Sequence, residues 1–345
     1  MDGVILAVES SCDESALALL APGQGLTHEL VSTQTELHRK HGGVVPDLAS
    51  REHLTALPLL LRELLPQISQ QSITTIAVTR GPGLLPCLSM GLSFARALSL
   101  SFNAQLVGVN HLRAHVHSSF IALHSANPAQ FIDMRAALLP HLAMVVSGGN
   151  TLLVSLEKDL SMRVIARTVD DAAGEAFDKG ARLLGLPYPG GALVEAKAES
   201  GDPRRFSFPR GIPERADLRL SFSGLKTALR YQLEKMDDQA VASAMPDLCA
   251  GYQEAIIVQL ESKFKAALES GNYRSAGLSG GVANNRTLRL RLERSAQSHG
   301  VHMLIAQPKH CGDNAGMIAF AAMADAAMPQ GEQVIADPSL VVESV

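Results

Sequence analysis

Tryptophan is absent from this 345-residue chain, and aromatic residues make up only 4% of it. The core must therefore rest on Leu, Val, Ile, Ala and Met. Cysteine is scarce and scattered, at Cys12, Cys87, Cys249 and Cys311. No Cys-x-x-Cys pair occurs, so neither a zinc ribbon nor a disulfide framework is indicated and reduced thiols are expected. Positive charge is not in excess: 30 Lys and Arg against 34 Asp and Glu give a net charge of −4. That disfavours a protein that holds nucleic acid by overall charge and leaves room for a local basic surface. The first residues lack a basic region and a signal-length apolar segment, and no apolar run reads as long enough to span a bilayer. A cytoplasmic protein with no membrane contact is expected. A Walker A lysine pattern is also missing, which excludes a P-loop. What is present is a 46% hydrophobic fraction with 19% charge, the balance of a packed protein long enough for two domains.

Apolar and turn patterns repeat along the chain. Val4–Ser10 and Ser15–Ala21 read as strands joined by the polar turn Ser11–Glu14, with a third strand near Leu30–Thr35. Leucines at 48, 54, 57, 60, 61 and 64 mark a helix over Pro46–Leu65. A short strand at Thr75–Thr79, a helix near Leu84–Leu100 and a strand at Gln105–Val109 follow. The second half repeats the grammar. A hairpin over Leu142–Leu156 has a Gly-Gly tip. Helices are expected near 172–184, 192–200, 223–234 and 250–269, a strand at Arg274–Ser279, a helix at Asn285–Ser298, a strand at Val301–Ile305 and a last helix at Asn314–Ala327. Ser125–Pro140 reads as irregular and Gly331–Val345 as a loose tail. The economical architecture is α/β, two lobes with a cleft between them. The lobes would be 1–110 and 111–345, with the final helix near 314–327 packing back on the first and a basic helical insertion near 202–235.

Chemistry concentrates in a few places. His111 and His115 stand one helical turn apart and can share a metal ion, with Asp313 as a carboxylate to close the site. The same spacing also fits two ordinary histidines. No Glu follows His111, so the zincin mechanism is disfavoured. His117 sits off the face of the pair, and His310 is a further candidate. The turn Glu9–Glu14 holds three carboxylates, which are solvated charges unless the turn faces the cleft; there Asp13 or Glu14 would orient a nucleophile or accept a proton. The Gly-rich stretches Ser147–Asn150 and Ser279–Asn285 fit anion-binding turns, or simply tight turns. Carboxylates at Asp170, Asp171, Glu175 and Asp178 precede a second Gly-Gly turn and suit ribose hydroxyls. Between Asp202 and Arg230, seven cations are interleaved with Phe206, Phe208 and Phe222, a pattern that suits RNA as well as a solvated face.

Together these motifs resemble the TsaD family, once called Gcp or O-sialoglycoprotein endopeptidase. The residues that carry the likeness are Val8–Ser15, Glu36–Pro46, Gly81–Leu84, His111–His115, Asp170–Lys179, Ser221–Thr227, Gly280–Arg286 and Asp313–Ala319, in order along roughly residues 4–322. The resemblance implies an α/β fold of the actin, sugar-kinase and heat-shock-chaperone type. It implies transfer of threonylcarbamoyl from threonylcarbamoyl-AMP to N6 of adenosine 37 in tRNAs reading ANN codons, with release of AMP. It assigns His111, His115 and Asp313 to one Fe(2+) per subunit, or zinc. Val145, Val146, Ser147, Gly148, Gly149, Asp178, Gly191 and Asn285 would hold substrate, and Asp13 matches an acidic position important for activity, with Glu14 beside it the second catalytic candidate from the turn itself. A TsaB-like paralogue and a TsaE-like ATPase are the implied partners. Two departures stand out. Asn150 replaces the family's usual His, and the connection near Leu123–Leu139 is longer than usual. The rival readings are a metallopeptidase, an ATP-driven kinase or chaperone of the same fold, and a non-catalytic scaffold.

Overall fold

The computed structural model describes residues 3–325 and 327–344. The chain divides into two compact units: Met1–Leu138 with Lys158–Met162 and Ala306–Val345, and Leu139–Glu157 with Arg163–Ile305.

In the first unit, β1 (Val4–Glu9), β2 (Glu14–Ala21) and β3 (Gly25–Thr33) form an antiparallel meander. Apolar side chains fill both faces of β1 and β2, so the pair lies inside the unit. After the short α1 (Thr35–Arg39), Pro46 opens α2 (Pro46–Ile68). Its buried stripe is Ala49, His53, Ala56, Leu57, Leu60, Leu64 and Ile68, whereas Leu54 faces outward. The leucine-only stripe was therefore wrong by part of a turn, because Ala and His share the inner face. Strand β4 (Ile73–Gly81), helix α3 (Leu85–Phe102) and strand β5 (Gln105–Asn110) complete a sheet of order β3-β2-β1-β4-β5, with β1, β4 and β5 parallel. By length and composition α3 could cross a membrane, contrary to the reading that no run is long enough. It packs on β4 and α2.

Helix α4 (His111–Ser118) follows β5, then α5 (Ile121–Ala126) and α6 (Phe131–Ala137). The stretch expected to be irregular thus contains a helix, anchored by the buried Phe131 ring against His124 and Phe320. The second unit has β6 (His141–Val146), β7 (Thr151–Leu156) and β8 (Met162–Arg167), then α7 (Ala173–Leu183), α8 (Gly191–Ala198), α9 (Ser223–Leu233) and α10 (Asp238–Ser270). Helix α10 begins well before 250 and runs through Pro246, which sequence rules read as a break. Strand β9 (Ser275–Ser279), helix α11 (Arg286–Ser298) and strand β10 (His302–Ile305) end the unit. Its sheet order is β10-β9-β6-β7-β8, which read from β8 repeats the first sheet. In both, an antiparallel hairpin is followed by two strands added parallel to its first member.

The chain returns to the first unit with α12 (Pro308–Cys311) and α13 (Ala315–Ala324), which packs against α4, β1 and β2. The expected division at 110/111 moves to 138/139 because α4 belongs with β5 and α13. The expected loose tail is tied down as well. Arg96 Nη2 donates to Val334 O at 2.9 Å, and Asp337 N to Arg80 O at 2.7 Å. Its bonds use backbone carbonyls, which leave no periodic trace in sequence.

Candidate metal centre and glycine turns

The centre starts from a helix cap. The Asn110 side-chain oxygen accepts from the amides of Leu112 and Arg113 at 3.0 and 3.3 Å, so α4 begins at His111. His115 follows one turn on, and the two rings meet edge to face with centroids 4.7 Å apart. Helix α13 begins the same way, with Asn314 accepting from Met317 N at 2.8 Å, and this leaves Asp313 just outside its first turn. Asp313 Oδ1 lies 3.2 Å from His115 Nε2 and 3.4 Å from His111 Nε2. Two bonds of about 2.1 Å at tetrahedral or octahedral angles separate their donors by about 3.0–3.4 Å. The three ligand atoms, all within 4.8 Å of one another, therefore fit one divalent cation.

A residue counted among solvated turn charges supports this centre. Glu9 is fully buried at the end of β1. Its Oε2 lies 3.2 Å from His111 Nδ1 and accepts from Thr79 Oγ1 at 2.6 Å, while Oε1 accepts from Ser11 N at 2.5 Å. A carboxylate behind a ligating imidazole fixes its tautomer and orientation. The signal available in the sequence was position: Glu9 closes an otherwise apolar strand.

Burial alone would push the His111 imidazole down, but the Asp313 and Glu9 carboxylates hold it well above its ordinary range. Burial disfavours the Asp313 and Glu9 carboxylates, but His111 with His115 outweighs it for Asp313 and His111 with Thr79 for Glu9, leaving each below its ordinary range. His115 is pushed down by burial. Glu14 is pushed up to about 9 by burial and by the Asp13 and Asp313 charges, so it is protonated at neutral pH. It opens β2 beside Asp13 and accepts from Thr33 Oγ1. His117 lies 3.6 Å from Asp325, and His310 bonds Glu29 at 2.7 Å, so neither belongs to the ligand cluster.

The second unit places glycine at the turns. Between β6 and β7 the Ser147 amide donates to Asn150 O at 2.8 Å, and Asn150 N donates to Ser147 Oγ at 3.1 Å. A methyl group added at Gly148 or Gly149 would meet nothing within 4 Å. The Val145 and Val146 side chains are buried in the sheet, so only their backbone can face a ligand. After β9, Gly280 takes φ 90° and passes so close to Val146 O that a Cβ would lie 2.3 Å from it. A 3-10 turn, Gly281–Asn284, then separates the strand from α11. Asn285 caps α11 through Leu288 N and donates to Gln253 Oε1 at 2.8 Å. That side chain is thus already engaged in holding the turn. Asp178 Oδ1 accepts from Gly190 N at 2.7 Å, beside Gly191, the first residue of α8.

The family profile described as TsaD, tRNA N6-adenosine threonylcarbamoyltransferase, matches residues 25–320. The chain belongs to that family. Curated relatives of that name include one from Thermotoga neapolitana, 42% identical over 318 residues and 92% of each chain. Another, from Anaeromyxobacter dehalogenans, is 43% identical over 320 residues, again 92% of each. Among solved structures, HypF of T. kodakarensis is similar with a TM-score of 0.60 at 13% identity, covering 93% of this chain and 47% of that one. The activator of 2-hydroxyisocaproyl-CoA dehydratase from Clostridium difficile matches with a TM-score of 0.51 at 14% identity, covering 94% of each chain. These likenesses show the two-lobed α/β fold of the actin, sugar-kinase and heat-shock-chaperone type.

One expectation for this TsaD chain needs correction. Two of the three rings of the basic segment are not free to stack, whereas Phe206 is only partly buried and carries the Arg205 guanidinium 5.5 Å over its ring. Phe208 and Phe222 are buried, the former against Tyr252. Most of the cations are paired locally: Arg204 with Asp202, Arg205 with Asp247, Arg215 with Glu269, Arg219 with Asp217 and Arg230 with Glu234. Among the described residues, Arg210 and Lys226 have no ion pair. Phe208 pins an irregular segment to α10, a role that sequence spacing does not separate from base stacking.

Proposed function

We infer that this protein transfers a threonylcarbamoyl group to N6 of an adenosine in tRNA. The observation that carries the reading is the His111, His115 and Asp313 cluster, backed by Glu9, in a chain of this family. The finer assignment is adenosine 37 of tRNAs reading ANN codons, with threonylcarbamoyl-AMP as donor and AMP released. A divalent cation held by those three residues, taken as one Fe(2+) per subunit with zinc able to use the same donors, would polarise the threonylcarbamoyl oxygen. The adenosine amine is a weak nucleophile, so holding the two substrates in register is the main demand on the protein.

The chain's own groups have distinct tasks. Glu9 and Ser11 hold the His111 ring, and Asn110 sets the turn that presents it. Asp13 and Glu14 are assigned to the proton leaving the amine. The amides of Ser147, Gly148 and Gly149 are assigned to the phosphate, with the backbone of Val145 and Val146 shaping the turn. Asp178 and Gly191 suit a ribose, and Asn285 acts by fixing the loop after β9. Asn150 cannot carry a proton as the family's usual His can, so no proton transfer is assigned to it. A TsaB-like paralogue and a TsaE-like ATPase are the proposed partners, and the cytoplasm the proposed compartment.

The test is mass spectrometry of tRNA nucleosides after incubation with threonylcarbamoyl-AMP, this protein and those partners. Threonylcarbamoyladenosine is expected with the parent and is expected to fall by at least ~100-fold with His111→Ala. Equal yields from the two proteins would sink the metal role.

A further inference from the structure

Helix α4 has a second working face. Arg113 and His117 are also one turn apart, opposite His111 and His115, and both are buried. Arg113 Nε and Nη2 donate to Asp325 Oδ2 at 2.6 and 2.5 Å, Nη1 donates to Val342 O at 3.1 Å, and Nη2 reaches Leu160 O at 3.4 Å. Asp325 ends α13, the helix that Asp313 precedes. So α4 touches an aspartate before α13 on its metal face and one after α13 on its rear face.

The first turn of α4 is held from the same direction. Asn110 uses its oxygen for the cap, and its Nδ2 donates to Val341 O at 2.8 Å and Ser344 O at 2.9 Å. One side chain therefore joins the tail to the turn that carries His111. A buried Arg–carboxylate pair gives little stability over an apolar pair of the same shape, because desolvation cancels most of the attraction. What it does give is direction: a planar guanidinium bonded to three separate segments fixes how α4 is rotated about its own axis. Metal ligands need that accuracy, about 0.5 Å in position.

We propose that Asp325, with Val341, Val342 and Ser344, positions the metal centre, acting through Arg113 and Asn110 on helix α4 and thus on His111 and His115. This rests on the reading of those residues as metal ligands. A further anchor of the tail, Arg96 to Val334, sits on α3 and bonds neither α4 nor the ligands, which supplies a control.

The experiment measures zinc affinity of the full-length protein by competition with a chromophoric chelator, alongside thermal melting. The variants are Asn110→Ser, deletion of residues 341–345, Arg96→Met and His115→Ala. Serine keeps the helix cap and loses the reach to the two tail carbonyls. Asn110→Ser and the deletion are expected to bind zinc about ten-fold more weakly, the usual effect of removing support behind a ligand. Arg96→Met is expected to lower the melting temperature and leave affinity unchanged. Parent-like zinc affinity in Asn110→Ser overturns the proposal, as does an equal loss in Arg96→Met. If the shortened chain does not fold, Asn110→Ser alone decides. Zinc binding that survives His115→Ala overturns the metal reading and this proposal with it.

Discussion

The turn after β1 carries Ser11, Cys12 and Asp13, and the turn after β6 carries Gly148 and Gly149. These turns occupy the same place in two sheets of the same order. In the first unit the surroundings are titratable and buried: Glu9, His111, His115, His117 and Asp325 all lie within it. In the second, the turn after β6 leaves open space where a side chain would stand at Gly148 and Gly149. On the proposed function, one scaffold would work by side chains in one unit and by backbone in the other. Side-chain chemistry needs support around each group, whereas backbone donors need only a turn that keeps its shape.

Two glycines separate shape from contact in the second unit. Gly280→Ala forces a Cβ against Val146 O from a left-handed backbone and should cost about 2–4 kcal/mol in urea denaturation. Gly148→Ala places its methyl in open space and should leave stability within about 0.5 kcal/mol. It should nevertheless weaken AMP binding, measured by calorimetry, by about ten-fold through the space it takes. If Gly148→Ala binds AMP like the parent, the turn is structural and the contrast between the units fails.

The sequence was legible wherever a local rule decides. Polar turns between apolar runs marked both hairpins, and helical spacing picked out His111 and His115. It was silent where distant residues decide. Nothing local distinguishes the fully buried Glu9 from the partly buried Asp13 and Glu14, because the distinction comes from Thr79 and His111. The tail looked patternless because Arg96, Asn110 and Arg113 hold it through carbonyls. Phe208 and Phe222 sat among arginines like stacking rings, and only their burial, Phe208 against Tyr252 of α10, shows them to be core.

A second way to sharpen the contrast is acid. Burial disfavours the Asp325 carboxylate, but His117 and Arg113 outweigh it and hold its pKa at about 2. A carboxyl held below its ordinary value stabilises the fold above that value and loses the effect as pH falls through the lowered one. The loss should therefore run from about pH 4 to about pH 2 and amount to about 2 kcal/mol. Urea midpoints across that window should fall more steeply in the parent than in Asp325→Asn, which is weaker at neutral pH and flatter in acid. Parallel curves for the two proteins would place the acid sensitivity elsewhere.

The smallest effect belongs to the outside of the second unit. Arg204, Arg205, Arg215, Arg219 and Arg230 already face carboxylates, so their charge is largely offset. Exposed pairs of this kind contribute little to stability. Arg210 and Lys226 have no ion pair among the described residues, and they are the cations that could neutralise phosphate without first breaking a bond. Arg210→Gln and Lys226→Gln should each weaken tRNA binding a few-fold at low salt and reduce the salt dependence by about one unit of slope. Melting temperature should not change. Arg219→Gln, which removes a cation already bonded to Asp217, should change net charge equally and binding less. An equal or larger loss from Arg219→Gln than from Arg210→Gln would show that overall charge rather than position governs the contact.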